Sequence, residues 1–173
     1  MKTGELGIKL IKHYEGRHDG EPKTPGMQPI MCPAGIWTVG YGHALVNKKT
    51  GRFLKGKGDY EIVRAQYPQY INMTDKQAEI LLASDLQKTE AKVSSRLKVK
   101  VSQNQFDALV SHTYNTGGSN QLFDAVNMQI SPDKIANWIE THYITAEGKS
   151  LPGLVKRRKS EAALFSRNTL ILL

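Results

Sequence analysis

With a single cysteine, Cys32, the chain of 173 residues cannot form an intrachain disulfide framework, and it has no short-spaced Cys and His ligands to build a zinc site. Nowhere do about eighteen apolar residues run together, so no transmembrane helix is predicted. The opening stretch, MKTGELGIKLIKHYEG, interrupts any secretory apolar core with glycines and charges, and nothing as written sends or anchors the chain outside the cytoplasm. Internal repeats and low-complexity tracts are lacking too, which leaves no basis for a solenoid or a fibre. Acidic residues are in short supply, sixteen against twenty-four Lys and Arg, so the net charge is +8. That balance suits an anionic partner, whether nucleic acid, phospholipid, lipopolysaccharide or cell-wall polymer. What is present, 39% apolar and 23% charged residues, is the composition of one globular domain. A chain of this length buries roughly two-thirds of the surface that its unfolded form exposes.

Thr3 ahead of Leu6, Leu10, Ile11 and Tyr14 predicts a first helix with Thr3 as N-cap and Gly16 as its stop, which leaves Glu15 in the last turn. Residues 17–35 hold Gly20, Pro22, Pro25, Gly26, Pro29, Pro33 and Gly35 and read as a long loop without regular structure. Ile36 to Leu45 alternate β-branched or aromatic residues with small ones, the pattern of a hairpin or small sheet. Residues 47–72, rich in Lys, Gly and Tyr with weak periodicity, read as an elaboration of that sheet outside the core. A capping box, Thr74-x-x-Gln77, then opens a helix of more than twenty residues, and a second box, Ser102-x-x-Gln105, starts a helix that Gly117-Gly118 stops. Ser131-Pro132 and Pro152 start two more. The order predicts an α+β architecture: a small N-terminal β lobe, a long connecting helix and a helical C-terminal lobe. A cleft between lobes is the default place for a site in such a fold.

Several side chains stand out. A carboxylate at a helix C-terminus, as Glu15 is, faces the negative end of the macrodipole, which favours the protonated form that a general acid needs; the plain alternative is a solvated surface Glu. Cys32 and Thr38 are two small polar residues suited to holding a water, although singly they read as a small buried hydrophobe and a β-former. His43 at the end of the strand and Asp85 in the long helix can fasten one to the other. No Gly-x-Ser-x-Gly turn supports a catalytic serine. Arg158 shares a helical face with Leu154, Val155, Ala162 and Phe165, so it either has an acid partner, with Glu15 and Asp19 as candidates, or snorkels from the run Lys156-Arg157-Arg158-Lys159.

Together these pieces resemble the phage-type lysozymes, the endolysins of glycoside hydrolase family 24. The resemblance rests on Leu10-Ile11-Lys12-His13-Tyr14-Glu15-Gly16, on Cys32-Pro33-Ala34-Gly35-Ile36-Trp37-Thr38-Val39-Gly40-Tyr41-Gly42-His43 and on Thr74-Asp75-Lys76-Gln77-Ala78-Glu79 leading to Asp85. It continues through Ser102 to Ser111, Tyr114-Asn115-x-Gly117, Gly153-Leu154-Val155-Lys156-Arg157-Arg158 and Glu161-Ala162-Ala163-Leu164-Phe165, in the family's order over most of the chain. It implies a lysozyme-like fold in a single catalytic domain, 1–173, with lobes at about 15–72 and at 1–14 plus 74–173. The implied activity is a muramidase, cutting the β-1,4 bond between N-acetylmuramic acid and N-acetylglucosamine in peptidoglycan.

On the family's catalytic signature, Glu15 takes the place of the general acid, Cys32 the Asp-or-Cys position and Thr38 the residue that positions water. His43 and Asp85 match a structural pair, and Gly42, Tyr114 and Asn115 match positions lining the cleft. Where the family has eight residues between the first two members, this chain has sixteen, so the loop 17–31 carries an insertion, which brings Asp19 and Glu21 as alternative second carboxylates. A second insertion falls between Gly51 and Ile71, and His112 stands where the family usually has an aromatic residue. The resemblance further implies no cofactor or metal, no nucleic-acid partner, a monomer, and storage in the host cytoplasm until a membrane pore releases it to the wall. The net charge then serves adsorption to an anionic envelope and weakens with salt. Two rival readings stay open: a lytic transglycosylase of similar fold, and a non-catalytic basic module for envelope or nucleic acid, against which the aromatics argue by lying on core stripes rather than among Lys and Arg.

Overall fold

The computed structural model describes residues 1–21, 23, 25–146 and 148–173. In chain order the elements are α1 (Glu5–Glu15), β1 (Ile30–Met31), β2 (Trp37–Val39), β3 (His43–Ala44), α2 (Tyr60–Gln66), α3 (Asp75–Arg96), α4 (Gln103–Thr116), α5 (Asn120–Asn127), α6 (Pro132–Thr141), β4 (Thr145–Ala146), β5 (Lys149–Ser150) and α7 (Pro152–Arg167). The α+β class expected from the sequence is the class observed. The chain divides into two compact units, Glu15–Asp85 and Met1–Tyr14 with Leu86–Leu173.

In the unit Glu15–Asp85, β1, β2 and β3 form an antiparallel sheet in sequence order, with Ile30 opposite Thr38 and Val39 opposite His43. Its core is Met27, Trp37, Val39, Leu45, Leu54, Val63, Tyr67, Met73 and Ala78. Two sequence expectations are corrected here. The segment 17–35 is not wholly irregular: Ile30 and Met31 pair as β1, and Met27 exchanges two backbone hydrogen bonds with Met73, at 2.7 and 3.0 Å. What folds this Pro- and Gly-rich stretch is tertiary. The Asp19 carboxylate accepts the N–H groups of Glu21 and Gln28, both at 3.1 Å, and Arg17 bridges Asp19 and Asp75, both at 3.3 Å. Gly26, at φ +79°, lies so close to Asn72 that a Cβ would stand 2.6 Å from its carbonyl, an approach that only glycine permits.

The segment 47–72 is likewise part of the core, since Leu54 and Val63 are fully buried and Tyr67 nearly so. Its three inward residues fall at irregular spacing in a strand-like stretch, a short helix and a turn. No single period reveals them.

In the other unit the predicted helices form, with caps that differ in source. Ser102 and Gln105 make the reciprocal capping box at the start of α4, and Gly117, at φ +80°, ends it. The start of α1 is corrected: Thr3 gives its N–H and hydroxyl to Glu90, each at 2.8 Å, and the helix N–H groups of Gly4 and Gly7 are taken by the buried carboxylate of Asp107 on α4, at 2.8 and 3.2 Å. The cap comes from a hundred residues away and leaves no local trace. Ser119, whose hydroxyl accepts the N–H of Leu122, starts α5, a helix not anticipated from the sequence. Helix α7 packs on α4 and α6, burying Ala162, Ala163, Leu164 and Phe165.

Candidate active site

Cys32 and Thr38 come together through the geometry of one tight hairpin. The N–H of Cys32 donates to the carbonyl of Ile36 at 2.9 Å and that of Gly35 to Cys32 at 2.8 Å, so Pro33, Ala34 and Gly35 form the loop, with Gly35 at φ +73°. Ile30 faces Thr38 and Met31 faces Trp37, so Cys32 is opposite Ile36. Side chains alternate with period two, and Cys32 and Thr38 therefore sit diagonally on one face. The five-residue spacing is the spacing of a three-residue hairpin loop.

Burial pushes the Cys32 thiol up, but hydrogen bonds from the backbone N–H groups of Ile36 and Ala34 and from the Thr38 hydroxyl together outweigh it and hold the thiol below its ordinary value. The buried Thr38 hydroxyl has one proton, and it also lies 3.1 Å from the Ile36 carbonyl. It donates either to that carbonyl or to the sulfur, so its direction follows the charge on Cys32.

Glu15 is the last residue of α1, and Gly16 after it adopts φ +70°. The loop joining β2 to β3 brings Gly42 against this carboxylate: a Cβ on Gly42, whose φ is +88°, would stand 3.3 Å from Glu15 Oε2. Glycine there lets backbone, rather than a side chain, form the wall beside the acid. His43, the next residue, directs Nδ1 at both carboxylate oxygens of Asp85, 2.9 and 3.0 Å away, and its ring meets the edge of Tyr70 at 5.8 Å. This pair ties β3 to α3. Burial, then the Asp85 and Tyr67 charges, raise the Tyr70 phenol. Asp19, an alternative second carboxylate by sequence, is nearly buried and already accepts two N–H groups and Arg17, while Glu21 is exposed.

In the helical unit, Tyr114 is half-buried on α4 and Asn115 is exposed, its Oδ1 accepting from Arg158 Nη2. Arg158 is fully buried, and its Nη1 donates to Glu161 Oε2 at 2.6 Å. One acid that it reaches is thus three residues along the same helix, and snorkelling is excluded by the full burial. Glu161 Oε1 also accepts from Ser111 at 2.7 Å and from Arg157 Nε at 3.2 Å, and Arg157 lies 5.8 Å over the Tyr14 ring. Sequence reasoning missed Glu161 and Ser111, although the i, i+3 spacing of Arg158 and Glu161 was a signal. His112 is fully buried against Tyr143 and Trp138; burial first, then the charges of Arg158, Arg157 and His142, push it down to about 3. Among the described residues, no group of three His, Cys, Asp or Glu side chains is placed to hold a metal ion, and no helix is long and apolar enough to cross a membrane.

The profile of the phage lysozyme family matches residues 24–161. The chain is 31% identical to an endolysin of Acyrthosiphon pisum secondary endosymbiont phage 1, over 95% of this chain and 98% of that one. It is 32% identical to an endolysin of Bacillus phage PZA, covering 98% of this chain but 57% of that longer protein. Among solved structures, an endolysin from Escherichia coli O157:H7 phage FAHEc1 superposes with a TM-score of 0.72 at 27% identity, covering 99% of this chain and 97% of the other.

Proposed function

Since this chain belongs to the phage lysozyme family and is a lysozyme-type glycoside hydrolase, we propose that it is an endolysin that hydrolyses the β-1,4 bond between N-acetylmuramic acid and N-acetylglucosamine in peptidoglycan, with Glu15 as the general acid. The observation that carries this reading is the grouping, within one compact unit, of a helix-terminal carboxylate faced by Gly42 and a hairpin face bearing Cys32 and Thr38. Glu15 gives its proton to the bridging oxygen as the bond to the anomeric carbon breaks. A water adds to that carbon from the opposite face, inverting its configuration, and releases a proton to Cys32 when the thiol is ionised or to bulk water. Cys32 and Thr38 orient this water. A thiol held below its ordinary value is ionised in a larger fraction of molecules, and the thiolate accepts the water's hydrogen bond better than the neutral thiol.

Asp19 holds the inserted loop together and is not the second catalytic group. Gly42, Tyr114 and Asn115 contact the glycan strand, and His43 with Asp85 is a structural pair. The chain acts as one domain and as a monomer, stored in the host cytoplasm until a membrane pore admits it to the wall. The thiol in the second position keeps one rival alive, a lytic transglycosylase, in which the sugar's own hydroxyl replaces water and the product carries a 1,6-anhydro ring.

The test is clearance of purified peptidoglycan with mass analysis of the fragments. Glu15→Gln is expected to lose about 10²–10⁴ in rate. Normal clearance by Glu15→Gln would remove the assignment, and fragments lighter by one water would replace hydrolysis with transglycosylation.

A further inference from the structure

Half of the chain's excess positive charge lies in one short stretch. Residues 48–64 carry Lys48, Lys49, Arg52, Lys55, Lys57 and Arg64 against Asp59 and Glu61, a local +4 within a total of +8. All six cations are exposed. Two are engaged locally. Arg52 forms a two-pronged pair with Asp59, at 2.7 and 2.9 Å, and Lys48 lies 4.5 Å over the Tyr67 ring. Lys49, Lys55, Lys57 and Arg64 form no ion pair among the described residues.

Against the sequence expectation that the aromatics lie on core stripes rather than among Lys and Arg, the same stretch exposes two aromatic rings, Phe53 at 50% and Tyr60 at 38%. Leu54 between Phe53 and Lys55 is fully buried, so the pleat turns both neighbours outward together. The surface is rigid beneath. Leu54 donates to Leu45 and accepts from Trp37, both at 2.9 Å, and Tyr60 rests on the Trp37 ring at 5.1 Å, while the Trp37 indole donates to Gly56 at 2.8 Å.

We propose that the 48–64 surface adsorbs the protein to an anionic phospholipid bilayer, with Lys49, Lys55, Lys57 and Arg64 at the lipid phosphates and Phe53 and Tyr60 at headgroup depth. Charge complementarity alone would suit any phosphate polymer. The rings favour the bilayer over a phosphate polymer without bases, because exposed aromatic side chains gain at a membrane interface and find neither an apolar layer nor a base to stack on in such a polymer. Because the adsorption uses none of Glu15, Cys32 or Thr38, it stands or falls apart from the glycosidase reading.

The experiment is co-sedimentation of the full chain with phosphatidylglycerol vesicles and with phosphatidylcholine vesicles, across a salt series. The wild type is expected on the first and not the second, with binding weakening as salt rises. The combined variant Lys49→Gln, Lys55→Gln, Lys57→Gln, Arg64→Gln is expected to bind about a thousandfold more weakly. A control that removes as much charge elsewhere, Lys100→Gln, Lys134→Gln, Lys156→Gln, Lys159→Gln, is expected to lose far less. Phe53→Ser should weaken vesicle binding severalfold and leave binding to soluble polyphosphate unchanged. Thermal melts and clearance of purified peptidoglycan, alike for all variants, exclude misfolding. Equal losses from the two combined variants would reduce the effect to net charge, and a silent Phe53→Ser with stronger binding to polyphosphate than to vesicles would assign the surface to a polymer; either overturns the proposal.

Discussion

The hairpin bearing Cys32 and Thr38 and the helix bearing Arg157, Arg158 and Glu161 handle polar side chains in opposite ways. In the hairpin a half-buried thiol is surrounded by donors only two to six residues away in sequence, the N–H groups of Ala34 and Ile36 and the Thr38 hydroxyl. In the helix two guanidinium groups and one carboxylate are almost wholly dry and bond to one another and to Ser111 and Asn115 from α4. The first arrangement leaves a reactive atom adjustable, because the Thr38 proton can turn. The second fixes α7 on α4 and leaves a charge costly to unpair. A polar cluster in this fold is thus read by its burial: the dry one holds structure, and the half-wet one is free to do chemistry.

The contrast can be broken most forcefully at Glu161. Glu161→Ala removes the carboxylate that two buried guanidinium groups share, and the expected loss is about 3–5 kcal/mol of stability in chemical denaturation. A loss under about 1 kcal/mol would mean that the network is wet and the contrast false.

His112 sharpens the same side. Its folded value of about 3 lies below the ordinary 6.5, so the unfolded chain binds the extra proton between these limits. Stability is therefore whole above about pH 6.5 and falls as the pH drops toward 3, by up to about 1.4 kcal/mol per pH unit from this group. In His112→Phe that part should vanish, so the stability difference between wild type and variant should itself change with pH; a constant difference would show that His112 charges freely in the fold.

The smallest effect is expected in the hairpin. Cys32→Ser should keep the fold and lose roughly tenfold in peptidoglycan clearance, within the range of a group that assists proton transfer. Its activity should also lose the rise with pH that a lowered thiol confers. Wild-type activity in Cys32→Ser would move Cys32 out of the reaction.

How much was legible depended on the range of the interaction that places each residue. Both capping boxes and the Gly16 and Gly117 stops are local, and they appear in the structure as the sequence predicts. Glu161 was overlooked beside Arg158 because a basic run ordinarily marks a solvated face. The Asp107 cap on α1, the folding of residues 17–31 around Asp19, and the inward turn of Leu54 and Val63 were not legible, since each rests on partners distant in sequence or on a buried face with no period of its own.

By itself the sequence determined the caps of α3 and α4, the stops of α1 and α4, and that one cysteine and +8 of charge accompany them, because caps, stops and charge counts need only near neighbours. Tertiary structure alone decided that Arg158 and Glu161 are fully buried, that His112 stays neutral, and that Gly42 backs Glu15. Burial and desolvation arise only when distant segments pack, and they set which polar groups are held and which are left to react.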